Sequence, residues 1–203
     1  MKFFSRKNKS QNEKYDDRGY FEFSDKEKAD FLSFVCVEKM LKKSVLFLKF
    51  LFENKKKLGI NFLDKCNSNR TFFSVMELSV IAYIYYDVAL FTNGLNSERK
   101  AFINAFYDSC KNLADTLREK FTPDYFNSLT DEIGKLIRNN DENLLNILSA
   151  RISLTLKNNA PVGNVLGLGA DFFDVVLLVP FLIEHTTESM EGAKHFIDTL
   201  KGN

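Results

Sequence analysis

The chain has 203 residues, of which 45% are hydrophobic and 27% charged. These are the proportions of one ordinary globular domain, and they exclude wholesale disorder. Its 28 Lys/Arg and 27 Asp/Glu nearly cancel, yet residues 1–70 hold 17 basic against 10 acidic groups and residues 71–203 hold 11 against 17. A neutral total hides a basic head and an acidic body, and such a split raises local potentials that act on partners without naming one.

Two further counts narrow the class. Twenty-one Phe and no Trp point to a bulky core built from rings that carry no polar group. Cys36, Cys66 and Cys110 are odd in number and widely spaced, which argues against a disulfide framework or a zinc site and for a reducing, cytoplasmic setting. The opening residues carry only Phe3 and Phe4 before charge resumes, too little for the apolar run of a secretory signal.

In chain order, residues 1–23 read as a flexible N-terminal arm whose aromatic end, Tyr20, Phe21 and Phe23, docks on the body, and residues 24–203 read as one helical domain. Ser24-Asp25-Lys26-Glu27 is a capping box opening a helix, with apolar positions at Phe31, Phe34/Val35, Leu41, Val45, Leu48 and Phe52 and a stop at Gly59. More than 30 residues in one piece leaves room for a break in its middle. Thr71 is placed to cap a second helix to about Thr92, apolar on nearly every face and closed by Asn93-Gly94. A helix of that kind belongs at the centre of a bundle.

Ser97 is read as the cap of a third helix with the stripe Phe102, Phe106, Cys110, Leu113, Leu117 and Phe121. Thr122-Pro123 opens a fourth, to about Arg138, because Pro at the first helical position forfeits no hydrogen bond. A fifth is expected from Asp141 to Lys157. After an apolar loop from Val162 to Ala170, a sixth starts at Asp171 and is kinked or broken near Pro180, and a last one carries Met190, Ala193, Ile197 and Leu200. No period-two run is long enough for a strand. The expected fold class is therefore all-α, a bundle of six to seven helices around a central apolar helix. Glu77 and Asp87 interrupt one long apolar stretch, and Asp171, Asp174 and Pro180 the other, which argues against a membrane span.

Four features bear on function. Glu184, Glu188, Glu191 and His195 recur at helical spacing on one face, with His185 close by, so Glu188, Glu191 and His195 form a polar cluster able to hold a transition metal or serve as acid and base. The plain alternative is a solvated acidic face, and a bundle metal site would want a second such row on another helix. Glu77 and Asp87 lie in the central helix, where a carboxylate must be neutral, paired or functional. The expectation is that both reach water or a Lys from the edge of the buried face. Gly163, Gly167 and Gly169 lack the Lys-Ser/Thr of a phosphate cradle.

Finally, Lys39, Lys42, Lys43, Lys49, Lys55, Lys56 and Lys57 face a single acid, Glu53, in the interval 39–57. They form a polyanion patch suited to a nucleic-acid backbone or an anionic membrane surface, against the plain reading of an ordinary solvated helix face. With no assembled catalytic motif, no metal and no cofactor implied, the sequence favours a non-catalytic interaction or scaffold module, binding a protein partner or a second copy of itself as an oligomer. Nucleic-acid binding through the basic helix and a metal-dependent enzyme at the acidic/His face are the alternatives.

Overall fold

The structure, a computed structural model, describes residues 19–68, 70–139, 143–158 and 172–202. Ser24 begins the first helix as the sequence predicts. Its hydroxyl accepts the Glu27 N–H (3.3 Å) while the Glu27 carboxylate takes the Ser24 N–H (3.0 Å), so two orphan donors are satisfied reciprocally. Asp25–Val35, a π-helical turn Cys36–Leu41 and Lys42–Asn54 then follow one another without interruption and together make α1. The break expected mid-helix is thus a π turn instead. That wider turn buries Cys36, Met40 and Leu41 together, and π turns of this kind recur at functional sites.

Gly59 adopts the left-handed region (φ +71°) just past α1, letting the Ile60 N–H bond back to the Lys55 carbonyl at 2.8 Å. After a short 3-10 turn at Asn61–Lys65, α2 runs over Phe72–Thr92. Fifteen of its side chains are buried, because no face of it is polar enough to meet water. It is long and apolar enough to cross a bilayer, yet 72% of its most apolar window is covered by the rest of the bundle. Thr71 occupies the N-cap position but its side chain makes no capping bond.

Helix α3 is Asn96–Leu117, and Ser97 lies inside its first turn rather than capping it. The reason is local: the Leu95 N–H closes back onto Leu90 O at 3.1 Å through the Gly94 turn, so the chain leaves one helix and enters the next without a free cap residue. Phe102, Phe106, Cys110 and Leu113 are buried, with Asp108, Lys111, Asp115 and Arg118 in solvent. Helix α4, Pro123–Arg138, starts as expected, Thr122 Oγ1 accepting the Tyr125 N–H. Helix α5 is Leu144–Asn158. The predicted start at Asp141 and the glycine-bearing loop 162–170 lie outside the described residues.

The last two predicted helices are one, α6, Phe172–Lys201, running through Pro180. Pro180 sits on the exposed side, as does Val176 one turn before it, so the carbonyl that loses its donor can tilt toward water instead of being orphaned in the core. Six α-helices and no strand are present among the described residues, the all-α bundle with a central apolar helix. Contacts radiate from α2 to the other five. The phenylalanines supply the filling: Tyr83 stacks on Phe106 at 4.5 Å and on Phe102 at 5.8 Å, and Phe102 meets Phe196 at 5.5 Å. Tyr20 and Phe23 pack onto Phe31.

Candidate functional site

Helices α1 and α6 lie antiparallel, which follows from three contacts taken in order: Lys43 with Glu188, Phe47 with His185, and Phe50 with Phe181. Toward the other end they separate into a groove of about 490 Å³, a size typical of small-ligand and peptide sites. One wall is α1, contributing Lys39 and Lys43; the other is α6, contributing Glu188, Glu191, His195 and Thr199. Phe31, Phe34, Val35, Tyr86 and Phe196 form an apolar floor. Two groups that the sequence presents 150 residues apart, part of the basic helix and the acidic/His row, are therefore one site.

The local reasons are legible in each helix. On α6, positions 188, 192, 195 and 199 recur every three or four residues and so share a face. On α1, positions 31, 35, 39 and 43 are spaced by four, a row that drifts roughly 40° round an ordinary helix at each step. The π turn at Cys36–Leu41 works against that drift and keeps Lys39 beside Val35 and Lys43 along the groove. Gly192 completes the shape. A Cβ there would lie 2.4 Å from the Tyr86 hydroxyl, so only glycine lets α2 bring that phenol up against α6.

Electrostatically the groove is divided. Lys43 Nζ and Glu188 Oε2 pair at 2.8 Å across it. Lys39 and Glu191, on opposite walls, have no ion-pair partner among the described residues. His185, nearly three turns before His195 and buried, is turned away: its Nε2 lies 2.9 Å from Leu78 O, and burial pushes its imidazole below the ordinary value. Glu184 is exposed and does not line the groove.

The remaining candidates separate from this site. Glu77 is interior and meets Arg151 of α5 at 3.2 Å, while Arg151 also meets the half-exposed Glu132 of α4 at 2.8 Å. Burial, first, and the nearby Glu132 charge hold the Glu77 carboxyl above its ordinary value, against the pull of Arg151. Asp87 is clasped by Arg99 through two bonds of 2.6 and 2.9 Å. The expectation that both acids reach water or a Lys is thus corrected. Each is buried and answered by an arginine, whose planar fork suits that task better than Lys.

The polyanion patch is largely spent. Lys42 pairs with Glu38, Lys43 with Glu188, Lys49 with Glu53, and Lys55 with Asp64. Lys39, Lys56 and Lys57 form no ion pair among the described residues, though Lys56 also helps hold the Asp64 carboxyl below its ordinary value, after Lys55. Lys39 belongs to the groove and the other two to the turn after α1. No three His, Cys, Asp or Glu side chains among the described residues stand as metal ligands. Cys36 and Cys110 are buried, and burial pushes both thiols far up, away from nucleophilic use.

Sequence reasoning missed Tyr86, Phe196, Gly192 and the π turn as parts of one site. Gly192 was the available signal, since a glycine inside a helix costs roughly 1 kcal/mol against alanine unless something approaches its backbone. Against family models, curated proteins and solved structures alike, the chain finds no match.

Proposed function

We propose that this chain is a non-catalytic interaction module that holds a segment of a partner protein in the α1–α6 groove. The observation that carries this reading is the meeting of Lys39 and Lys43 with Glu188, Glu191 and His195 over an aromatic floor. Apolar floors flanked by charged rims are how protein segments are held, the floor giving affinity and the rim register and specificity. Catalysis would ask for a nucleophile with its base, or two titratable groups whose environments push their pKa values apart within one cleft. The groove holds His195 with no side-chain partner among the described residues, and the carboxyl that burial raises, Glu77, lies elsewhere.

The nucleic-acid reading is weaker, because four of its seven lysines already face acids. The metal reading lacks a second row of ligands facing the first among the described residues.

A photo-activated cross-linker placed at Thr199, inside the groove, and separately at Lys111, on the outer face of α3, tests the module. We expect a defined partner product from position 199 and none from 111. Equal products from both positions, or none from either, would overturn the reading, and a product of twice the chain mass from 199 would identify a second copy as the partner.

A further inference from the structure

The outer side of the α1–α6 pair changes character beyond the groove. Past Lys43 and Glu188 the two helices close on each other, Phe47 against His185 and Phe50 against Phe181. What they turn to solvent there is not what a water-facing helix carries. On α6, residues 175–183 are apolar without exception, yet Val176, Pro180 and Ile183 are exposed and, spaced by four and three, form one stripe. On α1, Leu46 and Phe50 form a second stripe, which the Phe50–Phe181 contact joins to α6. Leu46, Phe50, Val176 and Ile183 are each 46–53% exposed. An apolar side chain alone at a surface is ordinary, as is Phe91 with the Arg99 guanidinium 5.3 Å over its ring. Stripes on two adjoining helices make a patch, and an exposed apolar patch marks a place of binding.

Lysines stand beside this patch. Lys49 directly precedes Phe50, and Lys56 and Lys57 follow in the turn after α1, all exposed. The pair of Lys49 with Glu53 is long, 3.6 Å, and both side chains are more than half exposed, so Lys49 exchanges that partner for another anion at little cost. Lys56 and Lys57 form no ion pair among the described residues. The long stems of such lysines lie along apolar surface while their ammonium groups reach out to charge. Glu184 ends the α6 stripe on the side of the groove.

This composition separates the occupants. A nucleic acid answers the lysines but offers nothing to the aliphatic Leu46, Val176 and Ile183. A second copy, related by a two-fold axis, would gather the same lysines from both copies into one interface. A protein segment needs a concave seat, and neither the α1–α6 groove nor the one between α2 and α6 includes any side chain of the patch. An anionic bilayer asks for no concavity. It moulds round protruding apolar groups while its head groups meet the lysines, and two such signals together hold where either alone is weak.

We propose that this face, Leu46 and Phe50 of α1 with Val176, Pro180 and Ile183 of α6, docks the protein on an anionic lipid bilayer. The apolar groups enter the head-group boundary and Lys49, Lys56 and Lys57 meet the anionic head groups. The protein lies on the membrane without crossing it, because the stretch 175–183 is far shorter than a span. The groove shares none of these residues and keeps its own ligand.

The chain has no Trp, so a single introduced one reports its own surroundings. Phe50→Trp and Ile183→Trp, with Lys111→Trp on the outer face of α3 as control, are mixed with vesicles of phosphatidylcholine alone or of equimolar phosphatidylcholine and phosphatidylserine. Emission from the first two is expected to shift to the blue on the vesicles containing phosphatidylserine only, and that of Lys111→Trp to stay unmoved. In a flotation assay on the same vesicles, Lys49→Gln, Lys56→Gln and Lys57→Gln should each weaken binding about fivefold, the worth of one basic residue at an anionic surface. Leu46→Ser combined with Ile183→Ser should weaken it about tenfold or more. The Trp variants keep the face apolar, so they decide the matter even if the serine variant folds poorly.

No blue shift and no flotation with the vesicles containing phosphatidylserine overturns the proposal. Flotation that needs the lysines but is indifferent to Leu46→Ser with Ile183→Ser also overturns it and leaves a plain polyanion patch. A blue shift without vesicles that dilution reverses assigns the face to a second copy and overturns it as well. Cross-linking from Thr199 reads the groove separately, so either reading can fail by itself.

Discussion

Two places in this bundle bring together charged groups from distant parts of the chain, and they differ in what surrounds them. At the junction of α2, α4 and α5, Arg151 lies between Glu77 and Glu132, with Glu77 and Arg151 both at 4% exposure or less. In the α1–α6 groove, Lys43 and Glu188 form a pair of similar length but stand 41% and 50% exposed. The residue types are alike and the bond lengths overlap. What differs is the solvent. In the interior Glu77 and Arg151 have lost their water and depend on their protein partners, while in the groove water screens the pair and remains available to Lys39 and Glu191. The dry junction is therefore a structural commitment, and the wet groove is a surface with interactions left to offer.

The largest effect should come from breaking the dry side. Arg151→Met strips Glu77 of its counter-charge in a site that water does not reach, and is expected to cost about 3–5 kcal/mol. Chemical denaturation reads it directly. Adding Glu77→Leu to that variant should restore much of the loss, since two apolar groups of similar volume leave nothing unpaired. A loss below about 1 kcal/mol for Arg151→Met would mean the junction is wetter than its burial implies, and the contrast drawn above would fail.

A pH titration of stability sharpens the same contrast. Glu77 is held above the ordinary carboxyl value of 4.5, so the folded state keeps a proton that the unfolded chain releases, and stability is lost as pH rises past 4.5 toward the folded value. His185 behaves in the opposite sense. It is held below its ordinary 6.5, so the unfolded chain takes up a proton that the folded state refuses, and stability is lost as pH falls below 6.5. Between these values the two slopes oppose. Glu77→Gln should leave a curve that falls more steeply toward acid, and His185→Gln one that falls toward base. Melting temperatures measured across that interval check both, and parallel curves for the two variants would show that neither group titrates as its surroundings dictate.

The bundle was readable in the sequence because each helix carries its own evidence. The stripe of α3, the box at Ser24 and the Thr122-Pro123 start are local signals whose physics is complete within a few residues. The errors in the fold were also local. Ser97 has the chemistry of a cap, but the Gly94 turn before α3 settles that helix start without it, and Thr71 stands at the N-cap of α2 without a capping bond. Pro180 broke no helix because its missing bond faces water. The site was less legible. Lys39 and the Glu188–Glu191–His195 row were each visible, but their meeting depends on the antiparallel packing of the first helix on the last, which no short window encodes. The π turn that aligns Lys39 has no sequence period of its own. Glu77 and Asp87 were recognised as anomalies, and their partners Arg151 and Arg99 were not, since pairing between helices, 74 and 12 residues apart, is a tertiary fact.

The smallest stability effect should lie in the groove. Lys43→Met removes the pair with Glu188, yet water already solvates both ends, so the change in unfolding free energy should stay below about 1 kcal/mol and shrink further as salt is raised. Binding should respond differently. With Lys43 gone, Glu188 is released on the α6 wall beside Glu191, and the groove shifts from neutral to net negative, so a cationic probe should bind more tightly than to wild type while an anionic one binds less. Denaturation and ligand titration on this one variant thus read separate quantities. If Lys43→Met destabilised the fold as severely as Arg151→Met, the groove pair would be a structural tie like the one inside the bundle, and the division between a committed interior and an available surface would have to be abandoned.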